Sequence, residues 1–121
     1  MSVFRALSKP KFVKIVEVGP RDGLQNEKRF IPTSQKIQLI NKLANTGLQY
    51  IEATSFVSPK RVPQMADAKD VMAGISRFPG VNYTALAPNE KGMLDAISCG
   101  IKEIEIFTSA SEPFCQKKFG M

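Results

Sequence analysis

Short apolar segments rich in β-branched residues alternate with amphipathic segments along the chain, and this alternation restricts the fold more than any other feature. Four apolar runs are typical of buried strands, at residues 13–18, 48–54, 81–87 and 101–107. Between them lie three segments with apolar side chains at helical spacing. Strands that alternate with helices through short loops form parallel sheets, so the sequence predicts an α/β fold.

The three predicted helices have recognisable ends. The Thr33-Ser34 pair and Asn89 are suitable N-caps, while Gly47 and Gly100 stand where a left-handed C-terminal cap is needed. The middle helix is predicted over residues 63–75. The apolar stripes are Ile37, Ile40, Leu43 and Ala44 in the first helix, Met65, Ala68, Val71, Met72 and Ile75 in the second, and Met93, Leu94 and Ile97 in the third.

The chain length of 121 residues limits how much of a larger architecture can be present. Four strands and three helices fit half of a βα barrel or a small doubly wound sheet, and a complete barrel takes about 250 residues. No Gly-x-Gly-x-x-Gly pattern follows the first strand, which disfavours a dinucleotide-binding sheet. We therefore expect a partial TIM (β/α)8 barrel of about four strands at residues 13–121, after an N-terminal extension at residues 1–12.

Composition excludes several function classes. The net charge is +6, but the 17 Lys and Arg residues are spread along the chain without a nucleic-acid motif, so no nucleic-acid partner is expected. No apolar run approaches the roughly 20 residues of a membrane span, so no membrane partner is expected. There is no His, and Cys99 and Cys115 form no Cys-x-x-Cys pattern, which argues against a zinc site or a disulfide framework. A reducing compartment is the simplest location.

A dense polar segment follows the first predicted strand. Residues 21–28 read Arg-Asp-Gly-Leu-Gln-Asn-Glu-Lys, at the strand end where parallel α/β folds gather their active groups. Arg21 beside Asp22 can form an anion clamp next to a carboxylate ligand for a hard cation such as Mg²⁺. The alternative is a solvated turn with a local ion pair.

Glu52 lies inside the otherwise apolar second strand, three residues before Ser55. A carboxylate in such a strand is costly unless it is paired or points into a polar barrel mouth. Arg21, at the end of the neighbouring strand, is the expected partner. Glu103 and Glu105 in the fourth strand share one face, and we expect that face to be the polar exterior.

Two longer segments make the prediction more specific. Residues 13–28 (VKIVEVGPRDGLQNEK) and residues 51–60 (IEATSFVSPK), followed by residues 62–65 (VPQM), resemble the hydroxymethylglutaryl-CoA lyase family. The Arg-Asp-Gly-x-Gln core alone is typical of a wider group of metal-dependent TIM-barrel lyases and acyl-CoA condensing synthases. The likeness extends over residues 11–118.

The resemblance implies retro-Claisen cleavage of hydroxymethylglutaryl-CoA to acetyl-CoA and acetoacetate, a reaction of leucine degradation and ketone body metabolism. It implies that Asp22 is a ligand of a divalent cation, Mg²⁺ or Mn²⁺, and helps to deprotonate the tertiary hydroxyl of the substrate. Arg21 would stabilise the enolate of acetyl-CoA, and Glu52 would orient Arg21. The acyl-CoA substrate would contact Arg21 and three further residues, Gln25, Lys28 and Ser55.

The sequence also departs from the family pattern. The His-x-His pair and the Asn that complete the family's metal site are not found, and neither is its Cys on a Gly-rich loop; Cys115 is not that cysteine. Residues 119–121 also depart from the Asn-rich stretch expected there. We therefore expect an N-terminal, truncated portion of such a barrel, inactive by itself.

Two alternative functions, an oligomeric partner and a location complete the expectations. A related acyl-CoA condensing synthase would use the same core, although the Ser-Phe-Val-Ser-Pro-Lys stretch favours the lyase branch. A non-catalytic half-barrel could pair with a full-length subunit, and a homo-oligomer would cover the same exposed edges. The expected location is a bacterial cytoplasm, with the mitochondrial matrix as the other location.

Overall fold

The computed structural model describes residues 8–111 as a parallel three-stranded sheet with helices packed on one side. The strands are β1 (Tyr50–Ser55), β2 (Asn82–Leu86) and β3 (Ile104–Glu105). The α-helices are α1 (Thr33–Ala44), α2 (Ala68–Gly74) and α3 (Glu90–Ser98). A π-helical turn at Gly19–Gly23 and a 3-10 turn at Pro63–Met65 complete the regular structure.

The sheet has the order β1-β2-β3, with both neighbouring pairs parallel. Glu52 is in register with Thr84, and Leu86 is in register with Glu105. Helix α2 connects β1 to β2, and α3 connects β2 to β3, so the chain forms consecutive βαβ units. The strands' carboxyl ends therefore lie together at one edge of the sheet.

The first predicted strand, at residues 13–18, is not a regular strand. It pairs with β1 through one bridge, where the Glu17 amide donates to the Tyr50 carbonyl at 3.0 Å and the Glu52 amide donates to the Glu17 carbonyl at 2.9 Å. Val13 and Ile15 are exposed. A β-branched run forms a ladder only where a neighbouring backbone lies in register, and β1 meets this requirement at Glu17 alone.

The hydrophobic core lies between the sheet and the helices. The second predicted stripe is confirmed, because Met65, Ala68, Val71, Met72 and Ile75 are all buried. The predicted helix at residues 63–75 is divided, however, into the 3-10 turn and α2. Other core side chains come from α1 and the strands, namely Ile40, Ala44, Ile51, Ala53, Tyr83 and Ala85.

Helix α3 packs differently from the simplest interpretation of its sequence. Its buried residues are Gly92 and Ala96, whereas Leu94 and Ile97 are 57% and 56% exposed. A Cβ on Gly92 would lie 2.5 Å from the Phe56 carbonyl oxygen, so the helix approaches the backbone closely there. The predicted Asn89 cap is confirmed, since its side chain accepts a hydrogen bond from the Gly92 amide at 2.8 Å.

The glycines predicted to end helices adopt the required backbone conformation. Gly47 has φ of 91° and Gly100 has φ of 77°, values that L-residues with a side chain rarely adopt. Among the described residues, no helix has the length and apolar character needed to cross a membrane.

Candidate active site

The site begins with the unusual turn formed by Gly19–Gly23. The amides of Arg21, Asp22 and Gly23 all point to the Val18 carbonyl oxygen, at 3.1, 2.7 and 3.4 Å. Pro20 has no amide hydrogen to satisfy and is buried inside the turn. Single π-helical turns are frequent at functional sites, and this one directs the Arg21 side chain toward β1.

Arg21 and Glu52 form a close ion pair, as predicted. Nε of Arg21 lies 2.5 Å from Oε1 of Glu52, and Nη2 lies 3.4 Å from Oε2. The guanidinium therefore contacts both carboxylate oxygens, an arrangement that fixes its plane. Glu52 is fully buried, so the contact holds Arg21 in place by a carboxyl group that cannot turn to solvent.

Asp22 lies on the outer side of the same arginine. Its Oδ1 is 3.1 Å from Nη1 of Arg21, and its side chain is 56% exposed. Asn26 donates a hydrogen bond from its side chain to the Asp22 carbonyl oxygen at 2.9 Å, which fixes the backbone below the carboxylate. Because more than half of the Asp22 side chain is exposed, its carboxylate can leave Arg21 and bind a ligand without losing a buried contact.

A cavity of about 960 Å³ opens beside these residues. Three predicted substrate-binding residues line it: Arg21, Gln25 and Ser55. Sequence analysis did not identify the other lining residues, which come mainly from the loops after β1, β2 and β3. They are Val57, Ser58, Arg61, Val62, Leu86, Pro88, Asn89, Glu105, Ile106 and Phe107.

The Ser55 hydroxyl is the one buried side-chain oxygen without a hydrogen-bond partner within residues 8–111. Ser55 is the last residue of β1 and lies in the cavity wall. A buried hydroxyl without a partner is unfavourable, so this position favours a polar ligand group that would complete its hydrogen bonding.

Lys28 is placed apart from the cavity lining, in an exposed loop. Gln64 fixes this loop, because its side chain donates to the Glu27 and Arg29 carbonyl oxygens at 3.2 and 2.9 Å. It also accepts from the Ile31 amide at 2.9 Å. No sequence signal indicates this role, since Gln64 is distant along the chain from the loop it holds.

The prediction for Glu105 was wrong. Glu105 lies in β3 on the side of the sheet that carries Thr84, whereas Glu103 lies in the loop before β3. Oε1 of Glu105 accepts a hydrogen bond from the Thr84 hydroxyl at 2.8 Å, and Glu105 lines the same cavity as Arg21. Glu103 pairs with Lys14 at 2.5 Å, and both side chains stay partly exposed. Glu105 is therefore directed into the cavity, while Glu103 is not among the residues that line it.

The surroundings of Glu52 favour its protonated form. Burial, followed by the neighbouring Glu105 carboxyl, raises the pKa of Glu52 to about 7, against the opposing effect of Arg21. A carboxyl with this pKa can change charge near neutral pH. The arginine beside it therefore has a partner whose charge depends on pH.

Asp22 offers one carboxylate position for a divalent cation. Asp22 supplies an exposed carboxylate, the oxygen type that Mg²⁺ and Mn²⁺ prefer. Within residues 8–111, however, no three His, Cys, Asp or Glu side chains come together as a metal site. The described residues fit one position of a cation's coordination shell, and the other positions would be taken by water, substrate or further protein groups.

A family model described as HMGL-like matches residues 12–121. The chain belongs to this family. A mitochondrial hydroxymethylglutaryl-CoA lyase of Rattus norvegicus is 63% identical over 108 residues, covering 89% of this chain and 33% of that protein. The chain thus spans about a third of the length of this relative.

Solved structures of the same family agree with the fold. A crystal structure of hydroxymethylglutaryl-CoA lyase from Pseudomonas aeruginosa matches with a TM-score of 0.84 at 55% identity, covering 93% of this chain and 37% of that chain. An HMG-CoA lyase from Acinetobacter baumannii, in complex with coenzyme A and 3-methylmalate, matches with a TM-score of 0.85 at 43% identity, covering 88% and 35%. The predicted partial lyase-type barrel is confirmed.

Proposed function

We propose that this chain supplies the arginine and carboxylate part of an active site that cleaves hydroxymethylglutaryl-CoA to acetyl-CoA and acetoacetate. The observation that carries the proposal is the Arg21 guanidinium, which Glu52 holds at 2.5 Å while Arg21 lines a cavity at the strands' carboxyl ends. Family membership supports an acyl-CoA thioester as the proposed substrate class.

The reaction breaks one carbon–carbon bond. The tertiary hydroxyl loses its proton to a base, its carbon becomes the ketone of acetoacetate, and the bonding electrons pass to the thioester as an enolate. The enolate then takes up a proton to give acetyl-CoA. Negative charge on the enolate oxygen exists only after the bond begins to break, so a fixed cation beside it accelerates the reaction selectively.

We assign these roles to individual residues from the family resemblance, and their positions are compatible with it. Arg21 stabilises the enolate, and Glu52 keeps its guanidinium oriented. Asp22 is exposed beside Arg21 and accepts the hydroxyl proton. Ser55 and Gln25 contact the substrate from the cavity wall, and Lys28 attracts the anionic part of the coenzyme from its exposed loop.

A divalent cation, Mg²⁺ or Mn²⁺, would be held in part by Asp22. When bound, it would polarise the substrate's oxygen atoms and favour loss of the hydroxyl proton. The chain supplies too few ligands for a complete cation site within residues 8–111, which supports the proposal that these residues form only part of the catalytic centre.

The exposed edges of the sheet support a partner as part of the proposal. Phe12, Val13 and Ile15 are exposed beside β1, and Ile106 is 77% exposed just after β3. Apolar side chains at both edges of a parallel sheet favour coverage by further strands. We infer a second copy or a full-length subunit of the same family as that partner, in the cytoplasm or the mitochondrial matrix.

The direct test is a chimeric enzyme. Residues 12–111 of this chain replace the matching segment of the Pseudomonas aeruginosa relative, and acetoacetate release is measured with Mg²⁺ or Mn²⁺. The proposal expects metal-dependent release that disappears in the Asp22→Ala chimera. A folded chimera that releases no acetoacetate, or one that instead condenses acetyl-CoA with 2-oxo acids, would contradict it.

A further inference from the structure

The buried Gln64 side chain is a feature that the proposed reaction has not used. Gln64 lies in the 3-10 turn before α2 and is only 7% exposed. Its side-chain nitrogen donates to the Glu27 and Arg29 carbonyl oxygens at 3.2 and 2.9 Å, and its side-chain oxygen accepts from the Ile31 amide at 2.9 Å. All three hydrogen bonds therefore go to the backbone of one segment, residues 27–31.

These hydrogen bonds hold the backbone on both sides of Lys28. The two carbonyl groups that Gln64 binds belong to the residues directly before and after Lys28. The contacts use both hydrogens of the side-chain amide, so neither a carboxylate nor an apolar side chain of the same size could make them. The backbone at Lys28 is therefore fixed by a glutamine from another element of the fold.

Gln64 is itself held by a buried cation. Nζ of Lys36 donates to the Gln64 carbonyl oxygen and, at 2.8 Å, to Oδ1 of Asp67. The same ammonium group lies 5.3 Å from the centre of the Phe30 ring, within the range of a cation–π contact. Lys36 of α1 therefore contacts both Gln64 and the segment that Gln64 binds.

The segment held in this way presents two cations to solvent. Lys28 and Arg29 are both exposed, and none of the ion pairs within residues 8–111 includes either of them. The segment directly follows the π-helical turn, and the Glu27 amide donates to the Leu24 carbonyl oxygen at 3.1 Å. Unpaired cations on a fixed backbone next to an active-site turn favour a ligand that carries several negative charges.

We propose that Gln64 is a positioning residue, which holds residues 27–31 so that Lys28 and Arg29 meet the phosphate groups of the acyl-CoA thioester. This role deepens the proposed function and rests on it. Without the three hydrogen bonds the segment would have to be ordered each time the ligand binds. The fixed backbone removes this entropic cost, so the two cations contribute fully to binding.

The test measures the binding of coenzyme A by calorimetry, which needs no turnover, so its outcome is separate from that of the proposed reaction. It uses the chimera with the Pseudomonas aeruginosa relative, since residues 12–111 contain every contact of this network. Gln64→Met keeps the length of the side chain and removes all three hydrogen bonds. At about 0.05 M salt we expect it to bind coenzyme A at least about threefold more weakly. Gln38→Met, at an exposed glutamine of α1, should leave the affinity unchanged.

Salt and a combined variant separate this role from a general loss of structure. About 1 M salt screens exposed cations, so the effect of Gln64→Met on the affinity should largely disappear there. In a chimera with both Lys28→Gln and Arg29→Gln, adding Gln64→Met should weaken binding less than it does alone, because the cations that it positions are absent. A general loss of structure would weaken binding equally at both salt concentrations and in both backgrounds, and that result would contradict the proposal.

Amide hydrogen exchange keeps the proposal testable even if Gln64→Met does not fold. The Ile31 amide donates to Gln64, so it should be protected in the unsubstituted chimera. Weaker binding of coenzyme A by the chimera with Lys28→Gln and Arg29→Gln is then the second expected result. An Ile31 amide that exchanges as fast as in an unstructured peptide would overturn the proposal. So would an unsubstituted chimera that binds no coenzyme A, or a folded Gln64→Met chimera with unchanged affinity.

Discussion

Nε of Arg21 lies 2.5 Å from Oε1 of Glu52, and this contact joins the π-helical turn to β1 across 31 positions of sequence. The contact fixes a cation at the carboxyl end of the sheet, where parallel α/β folds place their active groups. It also leaves a buried carboxyl whose charge depends on pH. Both consequences can be measured, as can the packing that supports the pair.

The stability of the chain should depend on pH through Glu52. Its pKa rises from the usual 4.5 to about 7 in the folded chain, so the folded state binds more protons than the unfolded state between these values. The free energy of unfolding should therefore fall as the pH rises from about 4.5 to about 7, by at most roughly 3 kcal/mol.

Urea denaturation at a series of pH values measures this effect. Glu52→Gln removes the titrating carboxyl at this position. The difference in the free energy of unfolding between this variant and the unsubstituted chain, taken at each pH, therefore isolates the contribution of Glu52. A difference that stays constant between pH 5 and 7.5 would show that Glu52 is ionised throughout this range.

The ion pair between Lys36 and Asp67 should stabilise the packing of α1 against the residues that directly precede α2. Nζ of Lys36 is 2.8 Å from Oδ1 of Asp67 and also donates to the Gln64 carbonyl oxygen. Lys36→Met leaves both acceptors buried without their donor, so we expect a loss of about 3 kcal/mol in urea denaturation. Lys42→Met is the control, since Lys42 is exposed on the same helix. Equal effects of the two substitutions would refute this assignment.

The positive φ at the end of α1 should have a measurable effect on the free energy of unfolding. Gly47 has φ of 91° and open space where a Cβ would lie, so Gly47→Ala tests conformational strain without a clash. The expected loss is about 1 kcal/mol. Gly23→Ala also meets open space but lacks a positive φ, and it should leave stability unchanged or slightly increased. Similar losses for both would mean that φ is not the cause.

Structural features that depend on local residue chemistry and on the order of the strands could be predicted from the sequence. The stripe from Met65 to Ile75, the Asn89 cap and the Gly47 conformation follow from residue type and spacing. The Arg21–Glu52 contact followed from the expected adjacency of two strand ends. Predicting these features requires only the sequence close to each residue and the rule that the carboxyl ends of parallel strands lie at one edge of the sheet.

Other features depend on three-dimensional contacts, which the spacing of residues along the chain does not determine. Strand alternation predicts one face for Glu103 and Glu105, but the regular strand begins only at Ile104, and Glu105 alone lines the cavity. Residues 13–18 have strong strand character, yet their pairing depends on a backbone in register beside them. Gln64 holds a loop more than thirty positions away, a contact that a single sequence does not reveal.

The chain assayed alone should release no acetoacetate from hydroxymethylglutaryl-CoA with Mg²⁺ or Mn²⁺. The sequence contains no His, and within residues 8–111 no three side chains of metal-ligand type come together. A coupled assay of acetoacetate measures this directly, with Asp22→Ala as the background. Metal-dependent release that the Asp22→Ala variant lacks would show that the chain holds a complete site.

The most direct test of the proposed chemistry concerns Arg21 in the active chimera. Arg21→Gln keeps a hydrogen-bond donor near Glu52 but removes the positive charge, and we predict a fall in kcat of at least about 100-fold with a smaller change in KM. Lys28→Gln, which removes a charge outside the cavity, should mainly raise KM. An unchanged kcat in a folded Arg21→Gln chimera would contradict the claim that this arginine stabilises the enolate.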